Sequence, residues 1–187
     1  GKNCPHRTMA LGWTRFLNMI AAEMGSAPVS GSGAVKNPAP AGIDVKYRSY
    51  CNGWLGEILN CNTSNSDGYA GVIGKNMTAL QANTVGKAAS VGKLKYRFHE
   101  IGSDWFEWQT DREKDRYGEN FAGNKKRNVD KLQMYLDGKV GYQAEYQVYA
   151  GGKWWPWVRG YNNSNSNGYA GVTGKAIQAV RIRIVKV

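Results

Sequence analysis

Alternation of apolar and polar residues predicts β-strands in most of the chain after residue 42. It is clearest over residues 180–187, where apolar side chains share one face and basic side chains share the other. Residues 45–50 alternate in the same way. Two dipeptides, Asp67-Gly68 and Asn167-Gly168, are typical of tight hairpin turns. The pattern therefore predicts short antiparallel strands that are joined by polar turns.

The first 25 residues have a different pattern, with apolar residues at helical intervals. These apolar residues are Met9, Trp13, Phe16, Leu17, Ile20 and Met24. They predict one amphipathic helix that ends at Gly25. Residues 26–42 contain three of the five prolines together with many Gly, Ser and Ala residues, which is typical of a flexible linker. We therefore expect a helix in residues 1–25, a linker in residues 26–42 and a β-rich region in residues 43–187.

The β-rich region contains an internal repeat. Residues 63–75 recur almost unchanged at residues 163–175, and a shorter version lies between them at residues 117–123. An aromatic-Ala-Gly motif marks each copy, beginning at Tyr69, Phe121 and Tyr169. A tryptophan precedes each motif by 15 or 16 positions, at Trp54, Trp105 and Trp154. These landmarks predict three units, at about residues 43–88, 89–138 and 139–187.

Two further landmarks define the strands expected at the two ends of each unit. The first is an apolar-x-Tyr strand, at Val45-Lys46-Tyr47, Leu94-Lys95-Tyr96 and Val140-Gly141-Tyr142. The second is a closing strand, at Leu80-Gln81-Ala82, Leu132-Gln133-Met134 and Ile177-Gln178-Ala179. One such unit is too small to bury a core, but three units can close around a common axis. We therefore predict an all-β fold in a pseudo-threefold β-prism-like or β-trefoil-like assembly, after a short N-terminal helix.

Composition and charge narrow the choice of partner. The 24 glycines, 11 tyrosines and 7 tryptophans favour an ordered β-module with solvated loops. A net charge of +11 predicts attraction to a polyanion such as nucleic acid, anionic lipid or an anionic wall polymer. No apolar run is long enough for a membrane span, and the first residues do not form a signal peptide.

The chemistry-bearing residues do not predict an active site. Three cysteines are present, at Cys4, Cys51 and Cys61. The last two either pair across a hairpin or remain thiols, and the spacing does not decide between these alternatives. The acidic residues between positions 104 and 119 alternate with Lys and Arg, which favours a solvated loop over a pair of glycosidase carboxylates. We expect no catalytic residue in this chain.

The N-terminal segment resembles a known enzyme family. Gly1-Lys-Asn-Cys4-Pro5-His6, followed by Gly12-Trp13 and Phe16, is similar to the closing segment of zinc-dependent N-acetylmuramoyl-L-alanine amidases. The resemblance implies that residues 1–25 are a remnant of an amidase catalytic domain. It also implies that Cys4 is a zinc ligand in the intact parent amidase, where two histidine ligands lie upstream. We expect no cofactor in this chain itself.

Residues 43–187 resemble the clostridial hydrophobic-tryptophan repeats of secreted and wall-associated proteins. The resemblance rests on Gly53-Trp54 and on the segments Ala70-Gly-Val-Ile-Gly74, Ala170-Gly-Val-Thr-Gly174 and Ala179-Val-Arg-Ile-Arg-Ile184. The second unit departs from the pattern, with Asp104 before its tryptophan and no closing glycine in Ala122-Gly-Asn-Lys-Lys126. The resemblance implies binding to a surface polymer.

Candidate ligand-binding residues combine aromatic rings, short polar side chains and cations. We interpret the repeated tryptophans Trp54, Trp105 and Trp154 as core residues, and assign stacking to rings on other faces. The aromatic residue of each aromatic-Ala-Gly motif is either a structural plug or part of a ligand pocket. The candidate set is Asp67, Tyr69, Lys75, Trp108, Phe121, Trp155, Trp157, Asn167, Tyr169 and Lys175.

Together these patterns predict a non-catalytic cell-wall-binding module of a phage endolysin or bacterial autolysin. It would anchor a peptidoglycan amidase to teichoic acid, wall polysaccharide or peptidoglycan at the extracellular face of a Gram-positive cell, alone or in association with further copies or with the full-length enzyme. One alternative is a free-standing carbohydrate-binding lectin. Another is a polyanion or nucleic-acid binder, because stacking rings and cations also suit single-stranded nucleic acid.

Overall fold

The computed structural model describes residues 39, 41–63, 68–86, 90–162 and 168–187, which form thirteen β-strands and no helix. All of them belong to the unit Ser32–Val187. The all-β fold class is therefore confirmed for this unit. The predicted N-terminal helix, Cys4, Asp67 and Asn167 lie outside the described residues.

Six long strands form three antiparallel hairpins, one in each sequence repeat. The long strands are Asp44–Tyr50 (β1), Ala79–Val85 (β4), Gly92–Glu100 (β5), Val129–Gly138 (β8), Tyr142–Ala150 (β9) and Ile177–Lys186 (β13). Strand β1 pairs with β4, β5 pairs with β8, and β9 pairs with β13. Each hairpin is the centre of its own sheet.

Seven short strands extend these hairpins. They are Ile58–Leu59 (β2), Ala70–Gly71 (β3), Gln109–Thr110 (β6), Ala122–Gly123 (β7), Lys153–Trp154 (β10), Val158–Arg159 (β11) and Ala170–Gly171 (β12). Four of them pair with the first long strand of their own repeat: β2 with β1, β6 with β5, and both β10 and β11 with β9.

The other three short strands are the Ala-Gly pairs of the aromatic-Ala-Gly motifs, and each joins a different repeat. Strand β3 of the first repeat pairs with β13 of the third. Strand β7 of the second repeat pairs with β4 of the first, and β12 of the third pairs with β8 of the second. Every repeat thus donates one short strand and receives one, and the exchange forms a closed cycle.

The Ala-Gly sequence is what the strand exchange requires. The three alanines are buried. The three glycines, Gly71, Gly123 and Gly171, have φ angles of 130°, 98° and 123°. A Cβ atom on them would lie 2.1, 2.3 and 2.1 Å from the carbonyl oxygens of Gln178, Thr78 and Asp130 in the neighbouring repeat. Only glycine combines this backbone conformation with such a close approach between two segments of the backbone.

Three equivalent tyrosines lie at the centre of the core. Tyr47, Tyr96 and Tyr146 are fully buried. Their hydroxyls donate to the carbonyl oxygens of Gly68 at 3.3 Å, Asp111 at 2.7 Å and Gly160 at 2.8 Å respectively. Burial raises the pKa of all three phenols, so they remain neutral donors. Each repeat therefore places a satisfied polar group inside the apolar core.

The strand register corrects the alignment of the third repeat. Tyr47 pairs with Ala82, Tyr96 with Met134 and Tyr146 with Ile182. The third apolar-x-Tyr strand is therefore residues 144–146 instead of 140–142, and the closing strand is residues 180–182 instead of 177–179. Two similar patterns lie four residues apart, and burial selects the second, because Val140 is 95% exposed whereas Ala144 and Tyr146 are buried.

Cys51 and Cys61 are both thiols, so of the two alternatives for this pair the disulfide is wrong. Burial raises the pKa of both thiols. At neutral pH they therefore behave as small apolar groups beside the core.

We predict that Gly171→Ala destabilises the fold by about 2–3 kcal/mol, because the new methyl group would collide with the Asp130 carbonyl oxygen and φ would be strained. Gly56→Ala is the matched control, since its position has no positive φ and nothing lies within 4 Å of the added Cβ. It should change stability by less than about 0.5 kcal/mol. Urea unfolding followed by tryptophan fluorescence measures both variants, and equal losses would contradict this account of the strand exchange.

Candidate functional site

The strand exchange brings one aromatic ring of each repeat against the repeated tryptophan of another. We name the three places junction sites 1, 2 and 3, after Trp54, Trp105 and Trp154 respectively. The centroid distances are 5.8 Å for Trp54–Phe121, 6.3 Å for Trp105–Tyr169 and 5.5 Å for Trp154–Tyr69. The aromatic-Ala-Gly motif therefore holds two repeats together and also completes a cluster of rings.

A third ring comes from the end of the first long strand of each hairpin. It packs edge-on against the tryptophan at 5.4 Å for Tyr50–Trp54, 5.3 Å for His99–Trp105 and 5.6 Å for Tyr149–Trp154. Edge-to-face contacts of this kind fix the orientation of the indole ring.

An arginine lies over the face of each tryptophan. The distances from the guanidinium carbon to the ring centroid are 4.8 Å for Arg48–Trp54, 4.9 Å for Arg97–Trp105 and 3.9 Å for Arg181–Trp154. These are cation–π contacts, and they place a positive charge at every junction site.

A glutamine directly across the hairpin orients each arginine. The hydrogen bonds to the glutamine side-chain oxygen are Arg48 Nε–Gln81 at 2.7 Å, Arg97 Nε–Gln133 at 2.9 Å and Arg181 Nη1–Gln147 at 3.1 Å. In repeats 1 and 2 the arginine is on the first long strand, whereas in repeat 3 it is on the second. The Arg–Gln pair thus keeps its place above the tryptophan although its two members have exchanged strands.

The exposure of the repeated tryptophans corrects their interpretation as core residues. Trp54, Trp105 and Trp154 are half-buried, and none belongs to the buried core. Tyr69 and Tyr169 are also half-buried, whereas Phe121 is 7% exposed. Junction sites 2 and 3 consequently present both an indole and a phenol at the surface.

The candidate lysines and the lysines that contact the junction-site rings are different residues. Lys75 and Lys175 occupy equivalent exposed positions, each closing a turn through a hydrogen bond from its amide to Val72 or Val172. Neither ammonium group lies over an aromatic ring of the described residues. Instead, Lys125 lies 4.1 Å from the Phe121 ring centroid and Lys131 lies 5.3 Å from that of Tyr169.

Trp108 and Trp157 share one register, as predicted, because the residues that follow them pair with Tyr96 and Tyr146. Trp108 contacts Tyr135 at 5.1 Å and the exposed Tyr161 at 4.9 Å, and Arg97 lies 4.5 Å above it. Arg97 thus lies over both Trp105 and Trp108. Trp157 lies beneath Arg183 at 4.1 Å, away from the junction tryptophan.

Trp155 does not belong to the site. It packs against the core, and its indole N–H donates to the Ala150 carbonyl at 2.9 Å. Leu55 and Phe106 are its equivalents, because all three amides bond to the first long strand in the same way. Trp155 therefore lies outside the junction sites, although it is half-buried as the junction tryptophans are.

The candidate ligand-binding set contained neither the three arginines nor the three tryptophans beneath them. The tryptophan register was visible in the sequence, but the strand exchange that leaves the rings half-exposed was not. The arginine signal was weaker still, since Arg181 aligns with Gln81 and Gln133 rather than with another arginine.

A partly buried ion pair connects repeats 1 and 2 beside junction site 1. The Arg112 guanidinium donates two hydrogen bonds of 2.7 Å to the Glu57 carboxylate, and Arg48 Nε lies 3.5 Å from the same group. Burial alone would raise the pKa of Glu57, but the bonds from Arg112 and the charge of Arg48 lower it. The lowered pKa means that this carboxylate stabilises the fold in its ionised form.

Within the described ranges, no group of three or more His, Cys, Asp and Glu side chains is placed to bind a metal ion. These residues therefore do not fit a zinc site. The same ranges contain no helix long and apolar enough to cross a membrane. None of the protein-family models, curated proteins and solved structures compared with the chain matches it.

We predict that Glu57→Gln lowers stability at neutral pH and that the difference from wild type shrinks in acid. A carboxylate with a lowered folded pKa stabilises the fold above its unfolded value of about 4.3, and this contribution is lost as pH falls through the folded pKa. Urea midpoints measured between pH 7 and pH 3 test this.

Glu119→Gln is the control, because its side chain is exposed. It should leave the pH profile unchanged. A Glu57→Gln deficit that stays constant across the whole pH range would mean that the Glu57 carboxylate does not contribute through its charge.

Proposed function

We propose that residues 43–187 form a non-catalytic module that binds polymers of the Gram-positive cell wall. The observation that carries this proposal is the threefold occurrence of the junction site, in which a half-exposed tryptophan, a second aromatic ring and an arginine come from two adjacent repeats. Each of these tryptophans keeps part of its ring accessible, so the three clusters offer equivalent places at which a ligand would stack.

The chemistry of the junction sites suits a repeating saccharide or phosphodiester chain. Indole and phenol rings stack on the apolar faces of sugars, and the phenol hydroxyl supplies a polar contact. Three sites on one rigid body bind a repeating polymer with avidity, because the second and third contacts are intramolecular. The net charge of +11 adds long-range attraction to anionic wall polymers.

The cyclic exchange of short strands supports a pseudo-threefold, β-prism-like arrangement of the three sheets. Each repeat gives one strand to a neighbour and receives one from the other neighbour, which is the connectivity that a threefold axis requires. In such an arrangement the three junction sites would be related by the axis and would point in three directions. This geometry suits a module embedded in a mesh of polymer chains.

The amidase-like segment at Cys4-Pro5-His6 supports the wider context. We propose that the module anchors a peptidoglycan amidase of an endolysin or autolysin at the extracellular face of the wall. The anchor would raise the local concentration of substrate for the catalytic domain.

A free-standing lectin is the second candidate, and the cluster of Trp108, Tyr135 and Tyr161 favours it. These three rings extend junction site 2 through the shared Arg97 and add stacking surface that would suit a neutral sugar. Competition by a neutral monosaccharide for the bound wall polymer would support this candidate.

Binding to purified Gram-positive walls tests the proposal. We predict that combining Trp105→Ala with Trp154→Ala lowers wall affinity by about 10²-fold, because avidity is lost when one site of three remains. Tyr117→Ala is the control, since Tyr117 is a highly exposed aromatic residue outside the junction sites, and it should bind like wild type. Near-UV circular dichroism verifies that both proteins are folded.

Walls before and after teichoic-acid extraction identify the polymer. Binding that disappears on extraction assigns the sites to teichoic acid, and binding that persists assigns them to peptidoglycan or another wall glycan. If the wild-type protein does not bind any wall preparation, the proposal is wrong.

A further inference from the structure

The arginines of junction sites 2 and 3 differ from the other shielded arginines in their surroundings. Arg112 pairs with Glu57, and both Arg159 and Arg183 pair with Glu145. By contrast, no carboxylate of the described residues forms an ion pair with Arg97 or Arg181. Arg48 of junction site 1 has an intermediate position, because its Nε lies 3.5 Å from Glu57.

Arg181 is the most shielded of these cations. Its residue is 8% exposed, and its Nε atom is buried without a hydrogen-bond partner. Burial lowers the pKa of both Arg181 and Arg97, although a guanidinium retains its charge at all physiological pH values. A shielded cation without an ion-pair partner is unfavourable, most of all at the buried Arg181, whereas Arg97 is half-buried and the charge of Asp104 also acts on it.

The geometry leaves one direction for an anion. The guanidinium face of Arg181 lies on Trp154 at 3.9 Å, and one N–H of its Nη1 is engaged by Gln147. The remaining N–H groups point along the guanidinium plane, where carboxylates and phosphates form paired hydrogen bonds. The Tyr69 ring of the neighbouring repeat also lies near, with its centroid 5.9 Å from the guanidinium carbon.

We infer that junction sites 2 and 3 each bind one anionic group of the polymer, a phosphodiester or a carboxylate, through Arg97 and Arg181. This inference rests on the proposed function and names the ligand class of the same sites. Junction site 1 differs, because the Glu57 carboxylate lies 3.5 Å from Arg48 Nε and would compete with an anionic group there.

The exchanged Arg–Gln pair of repeat 3 supports this assignment. If the Arg181–Gln147 pair only linked the two strands, other pairs of polar side chains would serve equally well. No arginine would then be needed over Trp154. Instead, a guanidinium lies above the junction tryptophan in all three repeats, whichever strand carries the arginine. The three repeats therefore share the position of the charge and not the strand that supplies it.

Arginine-to-glutamine substitutions test this inference. Arg181→Gln and Arg97→Gln should each weaken binding of a glycerol-phosphate oligomer or of a uronic-acid oligomer by at least about tenfold, the effect of losing one charge-assisted contact. The oligomer that binds wild type more tightly distinguishes a phosphodiester from a carboxylate. Arg159→Gln is the matched control and should stay within about twofold of wild type, because Arg159 pairs with Glu145 outside the junction sites.

Double variants that exchange the pair should restore binding. Gln147→Arg combined with Arg181→Gln gives repeat 3 the register of the other repeats, and Arg97→Gln combined with Gln133→Arg gives repeat 2 the register of repeat 3. Recovery of affinity in either folded double variant supports the inference. Folded double variants that both remain as weak as the single variants overturn it.

Failure of the inference is distinguishable from failure of the proposed function. If the arginine variants bind both anionic oligomers like wild type while the tryptophan variants lose wall binding, the ligand class is wrong and the wall-binding function stands. Equal loss in Arg159→Gln and Arg181→Gln would also overturn the inference, since an arginine outside the junction sites would then contribute as much as one inside them. If walls are not bound at all, both are wrong.

Discussion

The close crossing of backbones at Gly71, Gly123 and Gly171 is the constraint on which the rest of this structure depends. At each crossing a two-residue strand lies so near the neighbouring hairpin that a single methyl group would not fit. The crossing links each repeat to the next and closes the cycle of three sheets. It also sets the position of the preceding aromatic residue, which would otherwise belong to a surface turn. Folding and site formation are therefore one event, because no repeat contains a complete site by itself.

The junction sites show how charge is distributed in a strongly basic protein. Glu57 and Glu145 each lie within ion-pair distance of two arginines and connect elements of the fold. These pairs account for most of the shielded guanidinium groups. Arg97 and Arg181 are the exceptions, since aromatic faces and glutamine oxygens surround them. An excess of positive charge thus lies beside the half-buried rings. The junction sites therefore combine aromatic stacking surface with positive charge.

Much of the architecture could be predicted from the sequence, because the relevant forces are local and repeated. Alternation of apolar and polar residues predicted the long strands, and the aromatic-Ala-Gly motif identified three units. The equivalence of Lys75 with Lys175, and of Trp108 with Trp157, followed from the same periodicity. Errors arose where two similar patterns lay close together, as at Val140 and Ala144. Burial decided between these two strands, and burial is a property of the folded chain.

By itself, then, the sequence determined the all-β class, the number of repeats and the residues that mark them, since strand periodicity and turn chemistry act over a few neighbouring residues. Only the tertiary structure decided which repeat each Ala-Gly strand joins, because that choice depends on packing between segments far apart in the chain. It placed Trp54, Trp105 and Trp154 in half-buried junction sites outside the expected core and packed the half-buried Trp155 against the core. It also brought Arg181 into the position that Arg48 and Arg97 occupy from the opposite strand. The sequence pattern does not show that equivalence, because side chains at two paired positions on neighbouring strands reach the same place although they are far apart in the sequence.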